Sequence, residues 1–205
     1  MRMMTAIALS LMLSGATAAA PAAESAAQVA RPVPSGNYTI DPRHTQIIFE
    51  IRHMGLSTFY GRFGKVTGAL TFDTAAPEKS TLSAQVDMTV IQTHVDELDK
   101  ELSSSVFHAD KFPTATFTAN SIVKTGVNTG TVTGDLSLAG TTKPVTLQVT
   151  FNGGRNSPIP FKPYRIGFDA TASVKRSDFG LTGMMWSGLV SDDVNLRIEC
   201  EMERQ

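Results

Sequence analysis

The sequence predicts an all-β domain: an eight-stranded antiparallel barrel with one short helix between strands. Three observations carry this reading. Apolar and polar residues alternate with period two through most of the chain after about Tyr38, which marks strands with one buried and one solvated face. Clusters of Gly, Asn, Asp and Thr punctuate these runs, as in "NTGTVTGD", "LAGTTKP" and "FNGGRNSP",. A single stretch, "THVDELDKELSSS", shows apolar residues at helical spacing. Closing such strands into a barrel removes the exposed edges that an open sheet would leave.

The strands follow in order. Ile47, Phe49 and Ile51 alternate with Ile48, Glu50 and Arg52, and Val66, Gly68, Leu70 and Phe72 come next. Leu82, Ala84, Val86, Met88 and Val90 form a third inward set, and Ala115, Phe117 and Ala119 a fourth. Val132, Gly134, Leu136 and Leu138 are followed by Val145, Leu147, Val149 and Phe151. Ile166, Phe168, Ala170, Ala172 and Val174 share one face, and Val194, Leu196, Ile198, Cys200 and Met202 end the chain. In the helix, Val95, Leu98 and Leu102 form the apolar stripe, Thr93 is the expected N-cap, and Asp96 and Glu97 fall in the first turn,.

The N-terminus, "MRMMTAIALSLMLSGATAAAPAAES", has one cation at Arg2, a short apolar stretch from Ala6 to Leu13 and a small-residue site at Ala16-Thr17-Ala18. That is the layout of an export signal cleaved after Ala18. The expected organisation is a signal peptide over 1–18, an Ala/Pro-rich leader over 19–36 and the β domain over 37–205. The mature chain is expected to be exported. The apolar run is too short to span a bilayer, so no stable membrane span is expected.

Charge excludes further classes. Among 205 residues there are 18 Lys and Arg against 19 Asp and Glu, and loss of Arg2 leaves 17 cations. Nothing here grips a phosphodiester backbone, so no nucleic acid is expected as partner. The single Cys200 cannot form an internal disulfide, and its phase with Ile198 and Met202 predicts a buried small hydrophobe,. Oligomeric state is left open between monomer and homodimer.

The inward faces mix large residues with very small ones. Gly68, Ala84, Ala115, Ala119, Gly134, Ala170 and Ala172 stand where a packed core usually places Val, Leu or Phe. A barrel of this size holds its own side chains or one ligand. The small residues favour a hollow, although bulky partners across the core would account for them too. Ten buried methylenes represent about 8 kcal/mol gross, roughly micromolar before immobilisation costs.

Ionisable residues continue several of these faces. His53 follows Ile51, Gln92 and His94 follow Val90, and Arg176 and Asp178 follow Val174. A charge in an apolar interior must be paired or near water, so these groups belong at a rim. Arg176, with His53, could meet a pyrophosphate, carboxylate or quinone oxygen. Alternatively, Arg176 pairs with Asp178 or Asp99 and closes the barrel end. His44 and His108 have no partner at metal spacing, no catalytic motif is present, and neither metal nor cofactor is expected,.

Four segments, "YTIDPRHTQIIFEIRHMGLSTFYGRFGKVTGALTFD", "KFPTATF", "GDLSLAGTTKPVTL" and "VKRSDFGL", resemble in order those of the YceI-like family of bacterial periplasmic proteins. The resemblance runs from Tyr38 to Glu201. It implies a lipocalin-like barrel whose lumen takes a polyisoprenoid or other long-chain amphiphilic lipid, such as a polyprenyl phosphate, a ubiquinone or a fatty amide, for transport, storage or sequestration. It implies no enzymatic activity. The lumen positions carried over are Ile47, Phe49, Ile51, Val86, Met88 and Phe168. The wider set of candidate ligand contacts adds His53, Met54, Leu70, Phe72, Val90, Phe107, Phe117, Leu136, Arg176, Asp178, Phe179 and Trp186. Two departures stand out: "DKEL" places Glu101 where the family usually has His, and "SVFH" replaces its acid-flanked aromatic pair. An acid there would favour a neutral lipid. Two other readings stay open, an enzyme acting on an isoprenoid lipid with His53 or His94 as base, and a structural domain whose rim binds a partner.

Overall fold

The computed structural model describes residues 33–183 and 188–205. Among them eleven strands form one antiparallel sheet: β1 (Gly36–Ile40), β2 (Gln46–His53), β3 (Ser57–Phe63), β4 (Val66–Phe72), β5 (Thr81–Asp87), β6 (Ile91–Gln92), β7 (Thr114–Lys124), β8 (Thr129–Leu138), β9 (Thr141–Asn156), β10 (Tyr164–Lys175) and β11 (Val190–Arg204). Eight of them close a ring in the order β1-β4-β5-β7-β8-β9-β10-β11, completed by β11 pairing back to β1. The closed antiparallel barrel expected from the alternation is present.

One stave differs from expectation. The strand through Ile47 to Ile51 belongs to a branch, β2-β3-β6, and β1 takes its place in the ring. The cause is the length of β11. At about 3.4 Å per residue, its 15 residues accommodate two shorter partners end to end. Met202–Arg204 pair with β1, and Val190–Glu199 pair with β2.

The break between β1 and β2 is held by a buried carboxylate. Asp41 Oδ1 accepts from the Arg43 amide at 3.0 Å, and Oδ2 from Arg165 Nη1 at 2.8 Å and His44 Nδ1 at 2.7 Å. Arg165 also bonds Glu201 at 2.9 Å and Glu203. The Asp41 side chain is only 2% exposed. Burial pushes its carboxyl up, but the bonds from Arg43, His44 and Arg165 outweigh this and hold it well below the usual range,. The "DPRH" segment thus joins β1, β2, β10 and β11.

Between β6 and β7 the chain forms helix α1 (Asp96–Glu101) and a π-helical turn over Leu102–Val106, closed by Phe107 N–H donating to Leu102 O at 2.9 Å. Thr93 is not its N-cap, a place occupied by Val95 without a side-chain bond. Instead the Thr93 amide and hydroxyl donate to Asp99 Oδ1 at 2.7 and 2.6 Å. β6 pairs with β3, whereas β7 pairs with β5 and β8. The helical segment therefore walls the side that strand pairing leaves open.

Side chains fill one end of the barrel. Tyr38, Ile40, Val66, Leu70, Ile166 and Met202 are buried there, with Phe72, Phe151 and Phe168 against them. The three Phe rings lie 5.1 to 6.0 Å apart in tilted and edge-on pairs, the arrangement aromatic quadrupoles prefer. Cys200 packs into this plug, and burial pushes its thiol up to about 11. A maleimide at pH 7.5 is expected to leave the native protein unlabelled and to react once denaturant unfolds it, as mass measurement would show. Among the described residues no helix is long and apolar enough to cross a membrane.

Candidate functional site

The other end of the barrel is hollow. Among the described residues, a cavity of about 370 Å³ is lined by 23 side chains, of which only His53, Ser57 and Arg176 are polar. Ile47, Phe49 and Ile51 come from β2, Phe59 and Phe63 from β3, and Val86 from β5, with Met88 just beyond it. Ala115, Leu136 and Leu138 supply the β7–β8 wall, and Val174, Val190, Val194 and Leu196 the β10–β11 wall. Leu98, Leu102, Val106 and Phe107 contribute the helical wall. Phe63 joins these walls, its ring 5.0 Å from Phe49 and 5.8 Å from Phe107.

Ten of the sequence candidates come together around this space: Ile47, Phe49, Ile51, His53, Val86, Met88, Phe107, Leu136, Arg176 and Phe179. Leu70, Phe72 and Phe168 do not, since their strands point them into the plug at the opposite end. Val90 is 45% exposed, because β5 ends at Asp87 and its alternation stops there. Met54 is 55% exposed, turned outward by a left-handed backbone (φ 51) in the β2–β3 turn. Phe117 packs over Gly134, where an added Cβ would come 2.7 Å from its ring. Asp178 is exposed and lines nothing in the cavity. Trp186 lies outside the described residues.

The small inward residues do not make the hollow. Of the seven singled out, only Ala115 touches it. At Gly68 and Gly134 neighbouring backbone and side chains already occupy the space a Cβ would need. Gly61 shows the same effect beside the lumen, its missing side chain filled by the ring of Phe49. The void arises instead where β2, β3 and β6 diverge from the ring and a helix, not a strand, completes the wall.

Arg176 neither pairs with Asp178 nor reaches Asp99. Its Nη1 donates to Leu181 O at 2.6 Å and its Nε to Ser191 O at 3.2 Å. It therefore ties the 3₁₀ turn Arg176–Phe179 and the chain after it to the start of β11. The guanidinium stays at the cavity wall with its charge answered by carbonyl dipoles. Substituting Arg176→Gln removes bonds from a charged donor, each worth about 1.5–3 kcal/mol. Urea unfolding should show a loss of about 2 kcal/mol, with half-exposure of the loop tempering the effect.

Of the two histidines considered as bases, His53 lines the cavity at its polar margin, paired in register with Ser57. His94 is exposed, outside the lining, with φ 69. The two do not share a site. Among the described residues no group of three His, Cys, Asp or Glu side chains could hold a metal ion. Sequence reasoning misses Ser57, Phe59 and Phe63, whose strand β3 is interrupted at Gly61, together with Val106 in the π-helical turn, Leu181 in a loop and Val190 at the start of β11, where alternation gives no phase. Val174, Val194 and Leu196 were identified as inward but not as contacts.

Comparison with known proteins agrees with this architecture. The YceI-like domain pattern matches residues 38–202. A UPF0312 protein of Pseudomonas savastanoi pv. phaseolicola is 36% identical over 170 residues, covering 82% of this chain and 86% of that protein. Burkholderia cenocepacia BcnA is structurally similar with a TM-score of 0.70 at 22% identity, over 79% of this chain and 98% of that one. A polyisoprenoid binding domain from Saccharophagus degradans, implicated in plant cell wall breakdown, gives 0.59 at 18% identity, over 82% and 98%. By the extent of the sequence match and the barrel it describes, the chain belongs to the YceI-like domain family.

Proposed function

We propose that the protein binds one long-chain amphiphilic lipid, of the polyisoprenoid type, with its tail in the hollow end of the barrel. The observation that carries this is the lining: a cavity of about 370 Å³ whose 23 wall residues among those described include only three polar ones. Its volume falls in the range of small-molecule sites, about 300–1,000 Å³. An apolar cavity of this kind holds water poorly and takes hydrocarbon in its place. His53, Ser57 and Arg176 offer a polar margin for a head group. The neighbour described as a polyisoprenoid binding domain supports the class of ligand through a shared fold.

The role is binding and not turnover. Among the described residues the lining supplies one imidazole and one guanidinium that is already bonded to carbonyls, with no lining carboxylate or thiol to complete an acid–base pair. The export layout of the first 18 residues supports a periplasmic carrier or store. Native mass spectrometry of the protein purified from a bacterial periplasm tests the proposal. A lipid adduct that solvent extraction releases is expected, and an apo mass that stays unchanged after incubation with geranylgeraniol would refute it.

A further inference from the structure

Three neighbouring staves break at one level, at residues 41–45, 64–65 and 88–90. The breaks leave a notch of about 390 Å³ whose lining among the described residues includes Arg43, His44, Gln46, Arg62, Lys65 and Gln92 and no carboxylate. It is a different space from the lumen, and Phe63 is the residue common to both linings. Its floor is close-packed: a Cβ on Gly64 would lie 2.5 Å from Asp87 O and 3.0 Å from Val90 O.

The cations of the notch are not equivalent. Arg43 is matched by Asp41 at 3.1 Å and Glu203 at 3.5 Å, and His44 by Asp41. The Arg62 and Lys65 side chains have no hydrogen bond or ion pair among the described residues. Two uncompensated cations therefore face a concavity alongside two Gln residues.

We propose that this notch binds a small oxoanion of the phosphate type, held by Arg62 and Lys65. A guanidinium fork matches two phosphate oxygens, and an ammonium adds a point charge. The amides of Gln46 and Gln92 supply neutral donors. The same chemistry is offered by free phosphate and by the phosphate head of a lipid, and the experiment separates the two.

Amide NMR titration of the intact domain with inorganic phosphate, and separately with hexyl phosphate, is the test. Shifts at Arg62, Gly64 and Lys65 are expected, and R62Q/K65Q should weaken binding about tenfold or more. Inorganic phosphate acting alone assigns the notch to the free anion, and a requirement for the hexyl chain assigns it to a lipid head. Both residues are exposed, so the double variant should keep its fold and its geranylgeraniol binding, which separates this site from the lumen. The absence of shifts at these amides with either ligand, or equal affinity in the double variant, would overturn the proposal.

Discussion

Replacing Ala115 by Phe is expected to cut lipid affinity about 100-fold while leaving the barrel folded. Ala115 is 4% exposed and lies against Met88 and Ala109 on the cavity wall. A phenyl ring there fills space that about four methylenes of a ligand would otherwise occupy. At about 0.8 kcal/mol per methylene this amounts to roughly 3 kcal/mol, a factor near 100 in affinity. Overpacking a filled core costs about 1–3 kcal/mol, but the hollow should absorb the ring at the low end of that range. Displacement of a fluorescent prenyl probe reads the affinity, and urea unfolding reads the stability. A large stability loss without loss of affinity would mean that the cavity is not where the lipid sits.

The second large effect is on stability, at Asp41. Substitution by Asn removes the one carboxylate shared by Arg43, His44 and Arg165. Breaking a buried pair from one side costs about 3–5 kcal/mol. Arg165 retains Glu201 and Glu203, so about 3 kcal/mol is expected. For a domain of this size that corresponds to roughly 6–12 °C in Tm. The pH dependence has a definite sign. A carboxyl held below its ordinary value near 3.8 contributes stability that is fully present above that value. The contribution is lost as pH falls through the folded value. The gap between native protein and D41N should thus be constant from pH 7 to about 5 and narrow below pH 4. A gap that does not change with pH would show that Asp41 acts through packing alone.

What the sequence reveals of this molecule follows from period two. Long strands with clean alternation, such as Thr81–Asp87 or Val190–Arg204, announce both their existence and their buried face. β3 escapes because Gly61 interrupts the inward run of Phe59 and Phe63 and Tyr60 puts an aromatic on the outer face. β6 has two residues and no period at all. Alternation also says which face is inward without saying how far along the barrel axis each residue lies. That is why Leu70, Phe72 and Phe168 read the same as Phe49 and Ile51, although one group plugs the barrel and the other surrounds the hollow. The axial position is decided by register, and register depends on β11 pairing with β1 and β2 in succession.

The helical wall was half legible. Leu98 and Leu102 stand at helix spacing and mark a stripe that must be covered by something. The sequence does not show that what covers it is the lumen, since this requires β6 and β7 to part. Glu101, the acid at the departure from the family pattern, lies outside the cavity lining.

Isotope-filtered NOE measurement on the protein with bound geranylgeraniol tests the central claim most directly. Prenyl methyl groups should show contacts to Leu98, Leu136, Val194 and Leu196 of the hollow end, and none to Leu70, Ile166 and Met202 of the plug. Contacts confined to the outer face of the barrel, or contacts to the plug residues, would contradict the account.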